Sequence, residues 1–382
     1  MLRTLLFLLL AGLAVAQDGK IRSADAMEEA DSSQRKNEQF MREAAAYRLA
    51  KSTHKADPAE DALALAVLAE ADLVRREGGG SWYFLWLDGK VSHARRIAKN
   101  GFTSYGYSAH AGKLIRFCLD CSIENGEAGT ALEELERLWL YLPDYPDISA
   151  AMLSALEMAE KKLSFEKSID LEANDPRDVV SIEGHTMVGD LDELLRFLSK
   201  NGDRERIAPR ACIALARILL LSGDKDDTWK ARRAYEEFLE RFPDSPMAFE
   251  AVLEQALSHL KTYKGADYDV GALFEAWDLV DIAELDSRGD AARVELVTKY
   301  RNRIKAWLQD RDLSVATWYA ERTRPSFLTW LKRPTQLTKP DTSSRIYARA
   351  VISRDRVSEQ ARSAEELLQW LPVEDLLLNE KH

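Results

Sequence analysis

The sequence contains few of the residues that interrupt regular structure, with 18 glycines and 11 prolines in 382 residues. An all-β protein needs turn residues far more often, because each of its short strands ends in a turn. Alanine, leucine, glutamate and arginine are abundant instead, and these residues favour helices. The composition therefore excludes a β-sandwich and predicts an all-α protein.

Positive charge is also in short supply. The 53 lysines and arginines are outnumbered by 64 aspartates and glutamates, which gives a formal net charge of -11. Binding to nucleic acid requires a basic surface that neutralises phosphates. We therefore expect no nucleic-acid partner.

The residue patterns of common catalytic and metal sites are missing. The six histidines do not share the spacing of metal ligands, and there is no H-E-x-x-H motif. No G-x-S-x-G motif marks a catalytic serine, and no glycine-rich loop precedes a Lys-Ser/Thr pair that would cradle phosphates. The sequence thus predicts neither an enzyme nor a bound metal or cofactor.

Three cysteines are too few for a disulfide framework. Cys118 and Cys121 form a C-x-x-C pair, but a redox pair of this kind lies at a helix N-terminus, where the helix dipole lowers the thiol pKa. Here the helical pattern begins near residue 107 or 108, which places the pair about three turns into the helix. We interpret both residues, and Cys212, as small packed side chains; a disulfide or redox pair at Cys118 and Cys121 is the alternative.

One long apolar run is present, at residues 4–13. It follows Arg3 and precedes the small residues Ala14 and Ala16. This is the layout of a secretory signal peptide, with cleavage expected after Ala16. The run is shorter than the roughly 20 residues that span a bilayer, and no cysteine beside the cleavage site could carry a lipid. We expect a periplasmic or otherwise exported protein that reaches a membrane only through a partner.

The rest of the chain divides into four predicted parts. Residues 17–36 form a polar segment, 37–125 form helical hairpins, 126–350 form a repeat array, and 351–382 form a capping helix with a tail. Asp57 and Pro58 predict a helix start, because aspartate caps helices and proline fits their first turn. Ser363 and Glu366 have the spacing of a capping box at the start of the last helix.

Two segments of the array align without a gap at an offset of 100 residues. In each, an alanine is followed by large apolar residues, then by Pro-Asp-x-Pro and another helix. The matched residues are Ala131, Leu135, Leu138, Leu142, Pro143, Asp144 and Pro146 in one segment, and Ala231, Tyr235, Phe238, Phe242, Pro243, Asp244 and Pro246 in the other. The offset is close to three times the roughly 34-residue tetratricopeptide period. It predicts an α-solenoid of tetratricopeptide-like hairpins, in which neighbours bury each other's apolar faces. Pro340 and Asp341 form a looser third turn before a final repeat.

Residues 229–350 contain more specific matches to a known family. The segments are 231–246, 265–269, 307–308, 310–313, Ala316, 318–319 and 340–342. They resemble BamD, the periplasmic tetratricopeptide lipoprotein family of the bacterial outer-membrane β-barrel assembly machinery. The resemblance implies a helical-repeat fold, a location in the cell envelope and a protein-binding role. The lipid-bearing cysteine of that family is not found in this sequence.

Two aromatic clusters are candidates for partner binding, because Trp and Tyr are favoured as interface anchors. One follows the glycine run 78–80, and the other lies near the C-terminus. The candidate residues are Trp82, Tyr83, Trp86, Trp318, Tyr319 and Trp330. Core packing between stacked helices is the alternative for both clusters.

Together these patterns predict an exported tetratricopeptide-repeat scaffold that binds envelope proteins, in outer-membrane protein assembly if the resemblance holds. Two other functions are compatible with the sequence. One is a redox-active exported protein that uses Cys118 and Cys121, and the other is a structural repeat protein that associates with itself.

Overall fold

The computed structural model describes residues 38–55, 57–77, 82–163, 169–180, 189–222, 225–265, 270–323 and 338–371. Over these ranges the chain is all-α, and its only β pairing is an isolated bridge between Ile169 and Val180. Consecutive helices pack against each other as hairpins. The predicted all-α helical-hairpin solenoid is therefore confirmed. The predicted signal peptide (1–16), polar segment (17–36) and final tail lie outside the described residues.

The chain forms two units, which divide between Ala155 and Leu156 inside one helix. The helices of the first unit are α1 (38–53), α2 (Pro58–Glu77), α3 (Trp82–Tyr105), α4 (Ala111–Asn125), α5 (Ala128–Tyr141) and the first half of α6 (Ile148–Leu163). The second unit holds the rest of α6, then α7 (Gly189–Asn201), α8 (Ala208–Leu221), α9 (Lys225–Arg241), α10 (Ala248–Lys261), α11 (Gly271–Asp286), α12 (Ala291–Thr323), α13 (Thr338–Arg354) and α14 (Glu359–Trp370).

Small residues allow the helices of unit 1 to approach closely. Ala64, Ala71 and Ala98 are fully buried, together with Leu114 and Cys118. The predicted start of α2 is confirmed, since the backbone N–H of Ala59 donates to Asp57 at 2.9 Å. Helix α4 ends at Gly126, whose φ of 69° lies in the left-handed region that favours glycine.

The two Pro-Asp turns have the same backbone hydrogen bonds, which supports the 100-residue alignment. In the first turn, Leu142 donates to the Leu138 carbonyl at 3.1 Å and Tyr145 donates to Leu142 at 2.9 Å; in the second turn, Phe242 donates to Phe238 at 2.9 Å and Ser245 donates to Phe242 at 3.1 Å. The preceding helices also bury equivalent positions. The fully buried pairs are Ala131 and Ala231, Leu135 and Tyr235, and Leu138 and Phe238.

Three predicted helix starts are wrong. Pro340 lies in the first turn of α13 rather than in a turn between helices. Proline is tolerated there because the N–H groups of the first helical turn make no intrahelical hydrogen bond, so the N–H that proline lacks is not needed. Ser363 lies inside α14, whose N-cap is Ser358, with its Oγ accepting from Ala361 N at 3.1 Å. Helix α4 begins at Ala111 rather than near residue 107, because residues 106–110 form a turn.

Helix α8 presents two arginines, two turns apart, to acidic residues on two other helices. Arg217 forms two hydrogen bonds with Glu254 on α10, at 2.8 and 2.6 Å. Arg210 pairs in the same way with Glu160 on α6, at 3.0 and 2.5 Å. Glu254 also accepts from the buried Tyr235 hydroxyl at 3.0 Å. Burial raises the pKa of Glu254, and Arg217 only partly opposes this.

Helix α10 is enclosed by its neighbours: every residue from Ala251 to Leu260 is buried. The imidazole of His259 lies 2.5 Å from a carboxylate oxygen of Glu275. Burial nevertheless lowers the pKa of His259 below 6.5, and Arg232 lowers it further. The two effects outweigh Glu275, because that carboxylate is largely exposed and water weakens its field.

Among the described residues, no helix is both long and apolar enough to span a membrane. The same residues contain no cluster of His, Cys, Asp or Glu that could hold a metal ion.

Candidate functional site: an aromatic face on helices α12 and α13

The structure describes two of the six predicted aromatic anchors in full. Trp318 and Tyr319 lie side by side near the end of α12. The backbone of α3 includes Trp82, Tyr83 and Trp86, but their side chains lie outside the described residues. Trp330 also lies outside them.

Helix α12 carries arginine and aromatic residues along one ridge. Arg303, Trp307, Arg311 and Val315 follow each other at intervals of four, and Tyr319 continues the series. Residues at this spacing lie on one inclined row of a helix surface. The sequence therefore places arginine and ring side chains on one row of the helix, with Val315 as the one aliphatic member.

Tyr319, at the end of this row, contacts two rings outside the row. Trp318 meets Tyr319 edge-on, with ring centroids 4.8 Å apart and planes at 87°. Tyr319 lies parallel to Tyr347 of α13, at 6.1 Å and 8°. The guanidinium of Arg311 lies 5.3 Å from the centre of the Tyr347 ring. Edge-on ring pairs and cation–π contacts of this kind are stabilising, so each ring is held by its neighbour.

Much of this set faces solvent. Trp318 is 40% exposed, and Ile346, which precedes Tyr347 in the chain, is 59% exposed. Tyr319 and Tyr347 are half-buried. We call the contacting rings Trp318, Tyr319 and Tyr347 the aromatic face. Beneath it, the fully buried residues Ala316 of α12 and Ala348 and Val351 of α13 pack together.

Buried polar contacts fix the two helices that carry the aromatic face. Asp312 is buried and forms ion pairs with Arg311, at 2.8 Å, and with Arg354 of α13. Gln309 is also buried and donates to the Val351 carbonyl at 3.1 Å and to Ser358 Oγ at 3.0 Å. Arg311 thus contacts both Asp312 and the Tyr347 ring, and links the ring to the buried ion pairs.

The first half of the ridge has a different environment. The Trp307 indole donates to the Asn174 carbonyl at 3.1 Å, and Arg303 donates to the Ala173 carbonyl while lying 4.9 Å above the Trp307 ring. Both carbonyls belong to the loop 169–180, which the Ile169–Val180 bridge closes. Trp307 is therefore buried beneath a loop, and core packing accounts for it.

The cysteine pair is placed where thiol chemistry is suppressed. Cys118 and Cys121 are free and buried inside α4, as is Cys212 in α8. Burial raises the pKa of Cys118 well above its usual range and that of Cys121 to about 11. Since the thiolate is the reactive form, these positions favour packing over redox exchange.

Sequence reasoning missed two parts of this site. Tyr347 carries no local signal, and the loop 169–180 has no pattern that links it to α12. The four-residue spacing of Arg303, Trp307 and Arg311 is the signal that could have identified the ridge. It would not have shown which end of the ridge is exposed.

Comparison with known proteins identifies no family. No family model matches the chain, and no curated protein matches it. The function is therefore argued from the contacts of the chain itself.

Proposed function

We propose that the protein is a non-catalytic scaffold that holds a partner protein on the aromatic face of α12 and α13. The observation that carries this proposal is the contrast between two tryptophans on one helix. Trp307 is buried and its indole N–H is bonded, as expected of a residue that stabilises the fold. Trp318 packs edge-on against Tyr319 and yet stays 40% exposed.

The geometry favours an apolar or aromatic side chain as the bound element. Rings that are already held in place lose little conformational freedom on binding, which improves affinity. Trp and Tyr are also the residues that most often dominate the binding energy of interfaces. An apolar anchor of the partner would pack against the exposed surface of Trp318 and the half-buried rings of Tyr319 and Tyr347.

We assign the partner to the cell envelope, with outer-membrane protein assembly as the process. Two features of the sequence support this assignment. Residues 1–16 have the layout of a signal peptide, and the aromatic face lies within the residues 229–350 that resemble BamD. A helical-hairpin array is a common platform for protein recognition.

Crosslinking with a matched tryptophan variant tests the proposal. Trp318→Ala removes an exposed anchor from the aromatic face, whereas Trp229→Ala removes a tryptophan of α9 in the same unit that is even more exposed, at 54%. After crosslinking in the producing organism, we expect wild type and Trp229→Ala to capture the same envelope protein. Trp318→Ala should capture at least about tenfold less of this envelope protein, because truncating an interface anchor weakens binding by that order.

Circular dichroism should show that both variants keep their helices. Equal capture by Trp318→Ala and wild type would refute the aromatic face as the binding site. Capture of a second copy of the chain alone would favour self-association and would refute the envelope partner.

A further inference from the structure

Helix α1 is held to unit 1 by one narrow stripe of side chains. Phe40, Ala44, Tyr47 and Lys51 recur at helical spacing on its inner side, and Ala44 is the only buried residue of the helix. Leu49, on the other side, is 68% exposed. By contrast, α4 in the same unit has eight buried residues, although it is no longer than α1.

The stripe rests on aromatic rings from three other segments. The Tyr47 ring lies 5.5 Å from Tyr107, 5.0 Å from Tyr141 and 6.0 Å from Phe102. The Tyr47 hydroxyl donates to the carbonyl of Gly106, just beyond the end of α3. We call Phe102, Gly106, Tyr107 and Tyr141 the aromatic platform.

A second ring of α1 uses the same platform. Phe40, seven residues before Tyr47, lies 5.6 Å from Tyr141. Two rings seven residues apart lie two turns apart on one side of a helix. The platform therefore contacts a simple motif: a helix with two aromatic residues seven positions apart and a small residue between them.

These contacts leave α1 at the low end of local stability. Segments with few buried apolar contacts open with small free energies, well below that of global unfolding. Detaching α1 breaks the ring contacts of Phe40 and Tyr47 and the hydrogen bond from Tyr47 to Gly106, and among residues 38–53 only Ala44 leaves a fully buried position. The opened state would expose the rings of Phe102, Tyr107 and Tyr141, and the Gly106 carbonyl would lose its hydrogen-bond donor. This exposure favours binding of a helix with the same motif.

We propose that the aromatic platform binds an amphipathic helix of a partner protein, with two aromatic residues seven positions apart, and that α1 occupies this site as a tethered stand-in. The partner helix exchanges with α1. The argument for this occupant is α1 itself, since its stripe shows which side chains the platform accepts. The platform lies in unit 1, so the proposal does not depend on the aromatic face of α12 and α13.

A labelled peptide of residues 38–53 tests the exchange by fluorescence anisotropy on the full chain. Tyr47→Ala in the chain weakens the tethered helix and leaves the platform intact. We expect the peptide to bind this variant at least about tenfold more tightly than wild type, because a competitor that is docked most of the time reduces apparent affinity by the free fraction. A peptide that itself carries Tyr47→Ala should bind neither chain.

Two controls separate loss of binding from loss of folding. Leu49→Ala in the chain changes an exposed residue of α1 and should leave peptide affinity as in wild type. Amide hydrogen exchange of the Tyr47→Ala chain should show faster exchange in α1 and unchanged exchange in α2.

Tyr107→Ala, added to the Tyr47→Ala chain, removes a ring of the aromatic platform and should abolish peptide binding.

Several outcomes would overturn the proposal. Equal affinity of the peptide for wild type and Tyr47→Ala would show that α1 is not a competitor. Exchange in wild-type α1 as slow as in α2 would show that the helix is a permanent part of the fold. A wild-type dimer formed through exchanged α1 helices would assign the platform to a second copy instead of a partner protein.

Discussion

The pairing of α8 with its neighbours leads to a quantitative prediction for Glu254→Gln. This change removes one charge from a pair in which the Glu254 side chain is 8% exposed and the Arg217 side chain is 22% exposed. Breaking a buried ion pair costs about 3–5 kcal/mol, mostly because the remaining charge stays uncompensated. Glutamine keeps an acceptor for Tyr235, and water reaches part of Arg217, so we expect a loss of about 2 kcal/mol.

The matched control is Glu160→Gln, which breaks the other arginine pair of α8. Arg210 and Glu160 have the same two-bond geometry, but their side chains are 34% and 31% exposed. Exposed pairs contribute little, and we expect a loss of about 0.5 kcal/mol. Both pairs join an arginine of α8 to a glutamate by two hydrogen bonds, and glutamine keeps the acceptor for Tyr235, so the main difference between the two variants is the burial of the pair.

Native-state amide hydrogen exchange is the suitable assay, because it reports the opening free energy of α8–α10 without requiring that the whole chain unfold in one step. The expected losses correspond to opening that is about 30-fold more frequent for Glu254→Gln and about twofold more frequent for Glu160→Gln. Similar effects of the two variants, or a larger effect of Glu160→Gln, would refute the argument that burial sets the cost.

Three further predictions concern His259, the buried cysteines and Gly126. Burial lowers the pKa of His259, so as the pH falls the unfolded chain takes up a proton at this residue before the folded chain does. The free energy of unfolding should therefore decrease as the pH drops below 6.5. The thermal midpoint of His259→Gln should depend less on pH than that of the wild type. Cys118, Cys121 and Cys212 should resist maleimide in the native protein and react in denaturant; rapid native labelling would contradict their burial. Gly126→Ala should cost about 1 kcal/mol in urea unfolding, because φ is 69° there, and Gly126→Asn should cost less.

Local chemistry explains which parts of the fold could be predicted from the sequence. The start of α2 at Asp57-Pro58 depends only on capping and on the fixed φ of proline. The two turns at Pro143 and Pro243 depend on residues within one short segment, and their hydrogen bonds proved equivalent. Where a signal and its effect are a few residues apart, the sequence was sufficient.

The wrong predictions occurred where one local signal allows two structures. Pro340 is compatible with a turn and equally with the first turn of a helix. Ser358 and Ser363 can both cap a helix, and Ser358 has an additional partner in Gln309 of α12, which donates to its Oγ at 3.0 Å. That contact joins residues 49 positions apart, and no reading of nearby residues could have revealed it.

The aromatic face shows the same limit more sharply, because residue type alone does not distinguish a core tryptophan from an interface tryptophan. Trp307 and Trp318 belong to one helix and to one predicted cluster, and both have aromatic or arginine neighbours. The loop 169–180 supplies a carbonyl to the first, from 133 positions away, and thereby buries it. Trp318 meets Tyr319 edge-on and keeps 40% of its surface exposed. Contacts from distant segments, rather than the residue pattern of α12, therefore decide which of its two tryptophans is buried and which stays exposed.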